Sequence, residues 1–382
     1  MVKKCRKMSP RGQRKTDTSL PKAPKRSLLQ RFLRGFALIV DLVAVAALLL
    51  SGYAGCVSPL SHSSWWGAFP LAFPICFWFV IVLLLMQLLW HRRGALLLAL
   101  GLVACGGPVL TYFPLHILSP DAPDGAERFS LMTYNTYSRA LVKNKDTGLA
   151  EFILKENADI VCTQEAYRLA QPRRSAEARR CADSLKARYP HIVFGGRTGT
   201  QAILSKYPVE NIHLDVKVRN FPSGDVAAYR VTLPSGRKIA VFNVHLYSFG
   251  LSNTPLREAA ENVREGRIVF NKLRTAAEGR AREVNKLIQW LRLYGGPDVI
   301  ICGDFNDVQG CHAIRTFADV GFRSVYPEIG FGPINTYNAR YLYFCIDHVL
   351  YRGDLEPLSI RKGRLKNSDH YPLTVDFALN ER

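Results

Sequence analysis

Two kinds of apolar pattern divide the chain. Before residue 119 the apolar positions form three long unbroken runs, Gly35–Val57, Ala68–Trp90 and Gly94–Leu118. Each is long enough for a bilayer core of about 30 Å, which takes roughly 20 helical residues to cross. These runs predict three transmembrane helices, at about 35–57, 68–90 and 94–118, within a membrane region of residues 35–118. The one Asp, Glu, Lys or Arg inside them is Asp41. A charge at the membrane centre costs about 2.5–3.5 kcal/mol on insertion scales. Asp41 stands near the start of its run, so it reads as an interfacial or helix-packing acid. Three spans with one peripheral acid offer no transport pathway.

After a Pro/Asp/Gly linker at 119–127 the pattern changes to short runs separated by turn formers. Arg128–Tyr134 alternates as a strand does. Leu149, Phe152 and Ile153 have helical spacing, and Asn157-Ala158-Asp159 ends that helix. Buried strands are expected at Asp159–Thr163 and Ala202–Ser205. Val226–Leu233 and Lys238–Leu246 flank Pro234-Ser235-Gly236, a hairpin signal. Val284, Leu287, Ile288 and Leu291 mark the inner face of an amphipathic helix that stops at Gly295-Gly296-Pro297. Asp298–Cys302, Ile346–Tyr351 and Pro372–Phe377 complete the strands. Residues 128–382 therefore predict one large α/β domain of more than one layer.

Charge supports the division and suggests an orientation. The chain carries 51 Lys/Arg against 31 Asp/Glu, a net of +20. Residues 1–118 hold fourteen Lys/Arg and two acids, Asp17 and Asp41, whereas residues 119–382 hold 37 and 29. Residues 1–34 form a basic arm with twelve Lys/Arg, the first connection (Ser58–Gly67) has none, and the second has Arg92 and Arg93. Positive residues favour the cytoplasmic side. The arm is then cytoplasmic, the first connection outside, the second inside and the globular half extracytoplasmic. Trp65 and Trp66 suit a membrane interface. Two rival readings fit less well. Tyr-Ala-Gly-Cys56 weakly resembles a lipoprotein processing site, but two further spans follow it. A basic arm can bind nucleic acid, but is more often a topology signal that touches anionic lipid. Nine cysteines form no CxxC pair or Cys/His metal spacing. Cys162 and Cys302 lie in strand-like runs as core residues, and a disulfide among Cys181, Cys311 and Cys345 stays open.

The candidate chemistry lies at strand ends. Apolar runs lead into Asn135, Glu165, His245, Asp304 with Asn306 and Asp307, and Asp347 with His348, while Asp369 and His370 precede the last strand. Any one of these is ordinarily a turn former or a helix cap. Six together describe a pocket of carboxylates, carboxamides and imidazoles, provided the strands lie side by side. Carboxylates brought that close repel one another unless a cation joins them. Oxygen ligands without cysteine favour Mg2+ or Mn2+ over zinc. Such an ion beside histidines suits phosphoester cleavage, where it polarises the phosphoryl oxygen.

The ordered set Thr133-Tyr134-Asn135, Gln164-Glu165, Asn243-Val244-His245-Leu246, Gly303-Asp304-Phe305-Asn306, Ile346-Asp347-His348 and Ser368-Asp369-His370 resembles the endonuclease/exonuclease/phosphatase superfamily. With the apolar runs, the chain is similar to bacterial membrane-anchored members, especially those of Bacteroidetes type. The resemblance implies a four-layer α/β sandwich: two packed mixed sheets flanked by helices. It also implies roles. Glu165 is the main metal ligand, with Asn135 beside it and Asp369 contributing directly or through water. Asp304 and Asn306 position water and phosphate, Asp347 orients His370, and His245 meets a phosphate oxygen or the leaving group. The base is Asp304 or the His370–Asp347 pair. Cys345 departs from the Arg that many relatives carry before Ile-Asp.

The expected protein is thus a Mg2+-dependent phosphoesterase anchored in a membrane, the bacterial inner membrane by resemblance. Its partners are a phosphate-ester substrate and membrane lipids. Nucleic acid, phospholipid headgroups and inositol phosphates all remain as substrates, and no protein partner is expected. The rival is a catalytically inactive tethered domain that binds phosphorylated ligands. The Arg-rich stretch Tyr167–Arg180 and the mixed-charge segment Arg257–Arg292 read as solvated faces.

Overall fold

The first helix, α1 (Leu28–Tyr53), opens on a capping box in which Ser27 and Gln30 exchange side-chain-to-backbone hydrogen bonds at 3.2 Å. The computed structural model describes residues 27–61, 64–118, 120–123, 125–137, 148–166, 169, 176–215, 221, 224–250, 263–339, 342–365 and 368–380. Residues 1–26 of the basic arm and most of Tyr167–Arg180 lie outside them. The expected arm therefore overlaps α1, which starts seven residues before Gly35. Asp41 falls midway along α1 rather than near its start. It is fully buried and accepts two hydrogen bonds from Gln87 Nε2, at 2.9 and 3.1 Å. It is a helix-packing acid, as expected, but not a peripheral one.

Short 3-10 turns follow at Ala54–Cys56 and Ser64–Ala72, then α2 (Phe73–Trp90), α3 (Arg92–Ala104) and α4 (Gly106–Tyr112). Two stretches, Leu28–Cys56 and Trp65–Trp90, are long and apolar enough to cross a membrane. The third expected span, 94–118, is instead the pair α3 and α4, bent by 67°; only counting that pair as one span gives three. The cause is local. Cys105 is followed by Gly106 and Gly107, and Pro108 has no N–H to give to the Ala104 carbonyl. The Tyr53 hydroxyl donates to that carbonyl at 2.6 Å. Leu48, Phe73, Val80 and Leu98 are buried between the helices, whereas Phe36, Val43, Phe79, Met86 and Val103 point outward.

The globular half runs β1 (Glu127–Asn135), α5 (Leu149–Glu156), β2 (Ile160–Gln164), α6 (Ala176–Arg188), β3 (His191–Gly195), β4 (Gln201–Ser205), β5 (Val209–Ile212), β6 (Asp225–Thr232), β7 (Lys238–His245), α7 (Val263–Tyr294), β8 (Val299–Asp304), α8 (His312–Asp319), β9 (Arg323–Ser324), α9 (Val325–Ile329), β10 (Tyr337–Ala339), β11 (Leu342–Phe344), β12 (Asp347–Arg352), β13 (Leu355–Lys362) and β14 (Leu373–Leu379). Two six-stranded sheets result, ordered β13-β14-β1-β2-β4-β3 and β5-β6-β7-β8-β12-β9, with β10-β11 as a separate hairpin. Each sheet has a parallel pair at its centre, β1 with β2 and β7 with β8, and antiparallel strands outside. The expected hairpin is β6–β7, turned at Gly236 with φ 84°.

Period-2 alternation builds the layers. Leu131, Ile160 and Cys162 face Tyr229, Val241, Ile300 and Cys302 between the sheets. Their neighbours Met132, Tyr134 and Val161 face α5 through Leu149 and Ile153. Phe242, Val244, Val299 and Ile301 face Val284, Leu287 and Leu291 of α7 and Phe317 of α8. The fold is two mixed sheets flanked by helices, as expected. The eight described cysteines are free thiols, Cys181, Cys311 and Cys345 among them.

The helices and the globular half are in direct contact. Arg315 donates to the Gly52 carbonyl at 3.1 Å, and His312 Nδ1 lies 3.3 Å from the Gly55 carbonyl oxygen. A Cβ on Gly55 would stand 1.9 Å from the Gly310 carbonyl oxygen. The end of α1, the start of α2 and the end of α4 therefore meet the globular half at one end of the helices.

Candidate active site

Strand register brings the polar ends together. Asn135 pairs with Gln164 across β1–β2, His245 with Asp304 across β7–β8, and Asp304 with Asp347 across β8–β12. The two sheets are clamped at this end. Gln164 Nε2 donates to Asn243 Oδ1 at 2.6 Å and to Thr133 Oγ1 at 3.0 Å. Asn243 Nδ2 donates in turn to the Thr163 and Ala202 carbonyls, at 3.0 and 3.2 Å. All five residues of the clamp are buried, so these bonds are strongly favoured over unpaired groups.

Around the clamp lies one cleft of about 200 Å3. Seven of the eight expected residues line it: Asn135, Glu165, His245, Asp304, Asn306, Asp369 and His370. The eighth, Asp347, lies behind His370, whose Nδ1 is 2.8 Å from Asp347 Oδ2. Asp304 is the hub. Its Oδ2 accepts from Asn135 Nδ2 at 2.9 Å and stands 3.6 Å from both His245 Nε2 and His370 Nε2. Its Oδ1 accepts from the Asn306 backbone N–H at 2.8 Å. Glu165 Oε1 lies 3.4 Å from Asn135 Nδ2 and 4.0 Å from His245 Nε2. Asn306 anchors the next loop by donating to the Leu246 carbonyl at 2.9 Å. Glu165 and Asn306 have φ 53° and 50°, a left-handed conformation that L residues adopt at a cost. Both line the cleft.

Electrostatics sets the imidazoles apart. Burial by itself depresses the pKa of His370, but the fields of Asp347 and Asp304, with the Asp347 hydrogen bond, outweigh it and push it up to about 10. Burial pushes the Asp347 carboxyl upward, and the charge of His370 opposes that. His348 follows the opposite rule. It is fully buried, its Nε2 contacts the Asp307 carbonyl at 2.7 Å, and burial holds its pKa down to about 4. His348 is a neutral core residue outside the cleft.

Several supporting residues were not singled out in the sequence. Thr336 Oγ1 accepts from the backbone N–H groups of Ile346 and Asp347, both at 3.0 Å, which fixes the start of β12. The Tyr337 ring packs edge-on against His370 at 5.0 Å. The mixed-charge segment is not simply a solvated face. Arg280 is buried, donating to Asp307 Oδ2 at 2.8 Å and to the Tyr247 carbonyl at 3.0 Å. Buried Glu283 accepts from the backbone N–H of Gly224 and Tyr247. The sequence carried no signal for this: opposite charges at i and i+3 ordinarily mark a solvated helix face.

The donor set fits a hard divalent cation. Glu165, Asp304 and Asp369 bring carboxylates and Asn135 an amide to one cleft, and no thiol is among its described lining residues. Side-chain atoms of Asp304, Asp347 and His370 also lie within 4.8 Å of one another. In that trio His370 is hydrogen-bonded to Asp347 and stands 3.6 Å from Asp304, while the half-buried carboxylates beside it are Glu165 and Asp369.

A sequence model of the Endonuclease/Exonuclease/phosphatase family matches residues 132–370, more than half of the chain. The chain belongs to the endonuclease/exonuclease/phosphatase family. Members of this family are metal-dependent hydrolases of phosphate esters, and the chain is an enzyme of that class. The solved structures similar to it include an endonuclease/exonuclease/phosphatase from Beutenbergia cavernae DSM 12333, at 16% identity over 66% of this chain and 72% of that one, with a TM-score of 0.47. A family protein from Bacteroides thetaiotaomicron is 14% identical over 67% of this chain and 100% of that one, with a TM-score of 0.44. The human Nocturnin catalytic domain is 17% identical over 69% and 100%, with a TM-score of 0.46. At these values the assignment rests on the family match. No curated protein matches the sequence.

Proposed function

We propose that this endonuclease/exonuclease/phosphatase family member is a membrane-anchored phosphoesterase that uses Mg2+, with Mn2+ as a substitute. Glu165, Asn135 and Asp369 would hold the cation, which supplies charge neutralisation at the phosphoryl oxygens. His245, whose Nε2 lies 4.0 Å from Glu165 Oε1, donates to a non-bridging phosphate oxygen. Asp304 and Asn306 position the attacking water and the phosphate. Water's proton passes to the cluster of Asp304 and the Asp347-oriented His370, in which Asp304 is the acceptor because the His370 pKa is pushed up to about 10. His370 and His245 between them can return a proton to the departing oxygen. The observation that carries the reading is the convergence of side chains from six separated segments on one cleft, with two imidazole Nε2 atoms 3.6 Å from the same Asp304 oxygen.

Anchoring is part of the proposal. It rests on the two apolar helices and the bent pair, whose outer faces expose Phe36, Phe79, Met86 and Val103. With the bent pair counted as a third span, the flanking charge favours an N-terminus in the cytoplasm and a catalytic half outside. A reporter at the C-terminus that proves cytoplasmic would reverse this orientation.

The test uses the intact chain in detergent with bis(4-nitrophenyl) phosphate. Turnover is expected with Mg2+, lost to a chelator, and reduced about 10²–10⁴-fold in Glu165→Ala and in His370→Ala. Undiminished turnover in both variants would refute the assigned site. Phosphate binding without any turnover would establish an inactive binding domain instead.

A further inference from the structure

The catalytic cleft is not walled by the globular half alone. Leu71, from the 3-10 turn that leads into α2, lines it beside Phe249, Leu273, Phe344 and Ile346. Five of the fifteen described lining residues are thus apolar, and part of that apolar wall comes from the helical region. No Lys or Arg is among its described lining residues. A polyanion held along its backbone calls for such cations, so this cleft suits a single phosphate with an apolar neighbour.

A second cavity, of about 370 Å3, lies where the helices meet the globular half. Its walls include Pro74 and Trp78 from α2, Phe113 just past α4, and Val308, Ile334 and Phe344 from the globular half. No Asp, Glu, Lys or Arg is among its described lining residues. Its volume falls in the roughly 300–1,000 Å3 range of small-molecule sites. Trp78 is 54% exposed and sits on α2 between outward-facing Ile75, Phe79 and Val82. The cavity therefore borders the surface that the anchoring reading gives to lipid. Phe344 lines both this cavity and the catalytic cleft.

We propose that the substrate is a phosphate-ester lipid of the bilayer, bound with its phosphate in the cleft and part of its hydrocarbon in the junction cavity. The two binding regions meet at Phe344. This deepens the phosphoesterase reading and rests on it. Hydrolysis is balanced with water alone: the water oxygen bonds to phosphorus, the ester P–O bond breaks, and a proton from that water ends on the released alcohol. Apolar walls at the cleft have a use here that a free sugar phosphate would not give them.

The full chain is reconstituted in vesicles of phosphatidylethanolamine, phosphatidylglycerol and phosphatidic acid with Mg2+, and bis(4-nitrophenyl) phosphate is assayed on the same preparation. Release of headgroup or phosphate from the vesicle lipids is expected. Ile334→Trp, which fills the cavity, is expected to lower the ratio of lipid to diester turnover by about tenfold or more. A diazirine-bearing acyl chain gives a readout that does not depend on turnover or on that variant folding. It is expected to label Trp78, Phe113, Ile334 or Phe344. Diester turnover without lipid turnover overturns the lipid proposal and leaves the phosphoesterase reading standing. Label confined to Ile75, Phe79 and Val82 overturns the cavity assignment. Silence on both substrates defeats the phosphoesterase reading and the lipid proposal with it.

Discussion

Asp304 and Asp347 stand opposite one another on neighbouring antiparallel strands, and His370 bridges them, with Nδ1 on Asp347 at 2.8 Å and Nε2 3.6 Å from Asp304. Asp347 touches no reacting atom in the proposed reaction. It sets the tautomer and angle of the ring that does. Asp347→Asn keeps the shape but accepts the Nδ1 proton less strongly. We expect kcat to fall about 10²–10⁴-fold with KM little changed, and the pH–rate profile to shift. An unchanged profile with an unchanged kcat would remove Asp347 from the site.

His348 carries a pH signature in stability. Its pKa is about 4 when folded, against an ordinary value of 6.5. Below pH 6.5 the unfolded chain takes up a proton that the folded chain refuses. The folded state therefore loses stability as pH falls from 6.5 toward 4, by on the order of 3 kcal/mol. The thermal midpoint of the wild type should drop across that window, and His348→Gln should drop less steeply. Parallel slopes would contradict this account.

Arg280 and Asp307 form a buried ion pair at 2.8 Å. Removing only the cation leaves a carboxylate that burial already pushes toward its neutral form. Arg280→Met should cost about 3–5 kcal/mol, and the double variant with Asp307→Leu should recover much of it. Thermal unfolding of the single and double variants reads the difference. Equal losses in both would mean the pair matters through Arg280's bond to the Tyr247 carbonyl instead.

Gly55 tests the contact between the helices and the globular half. Any side chain there meets the Gly310 carbonyl oxygen at 1.9 Å. Gly55→Val should force the two regions apart and expose residues 113–127 to limited proteolysis. A cleavage rate equal to that of the wild type would show the contact to be dispensable.

Much of this was legible in the residues. Short apolar runs with period-2 alternation located eight strands, because each buries one face against the other sheet and one against helices. The eight candidate residues stood out because they lie next to apolar runs as groups that are costly to bury, and the structure brings seven of them to one cleft. Other features lacked such a signal. β10 and β11 are short pieces held by pairing with each other, and β3 by its ladder with β4. The third span looked continuous because hydropathy counts side chains, whereas the bend comes from backbone: Pro108 and two glycines. Arg280 and Glu283 looked solvated because their partners, Asp307 and the backbone N–H groups of Gly224 and Tyr247, are distant in sequence. Leu71 could not be connected with the cleft at all, since that needs the 3-10 turn Ser64–Ala72 folded against α7.

That last placement has a practical consequence for anyone who would trim the chain to a soluble enzyme. Deleting everything before residue 119 removes Leu71 from the cleft and opens the shared wall at Phe344 to water. The shortened protein would be a different catalyst, with a wetter and wider pocket. Its preferences among phosphate esters should not be read as those of the whole molecule.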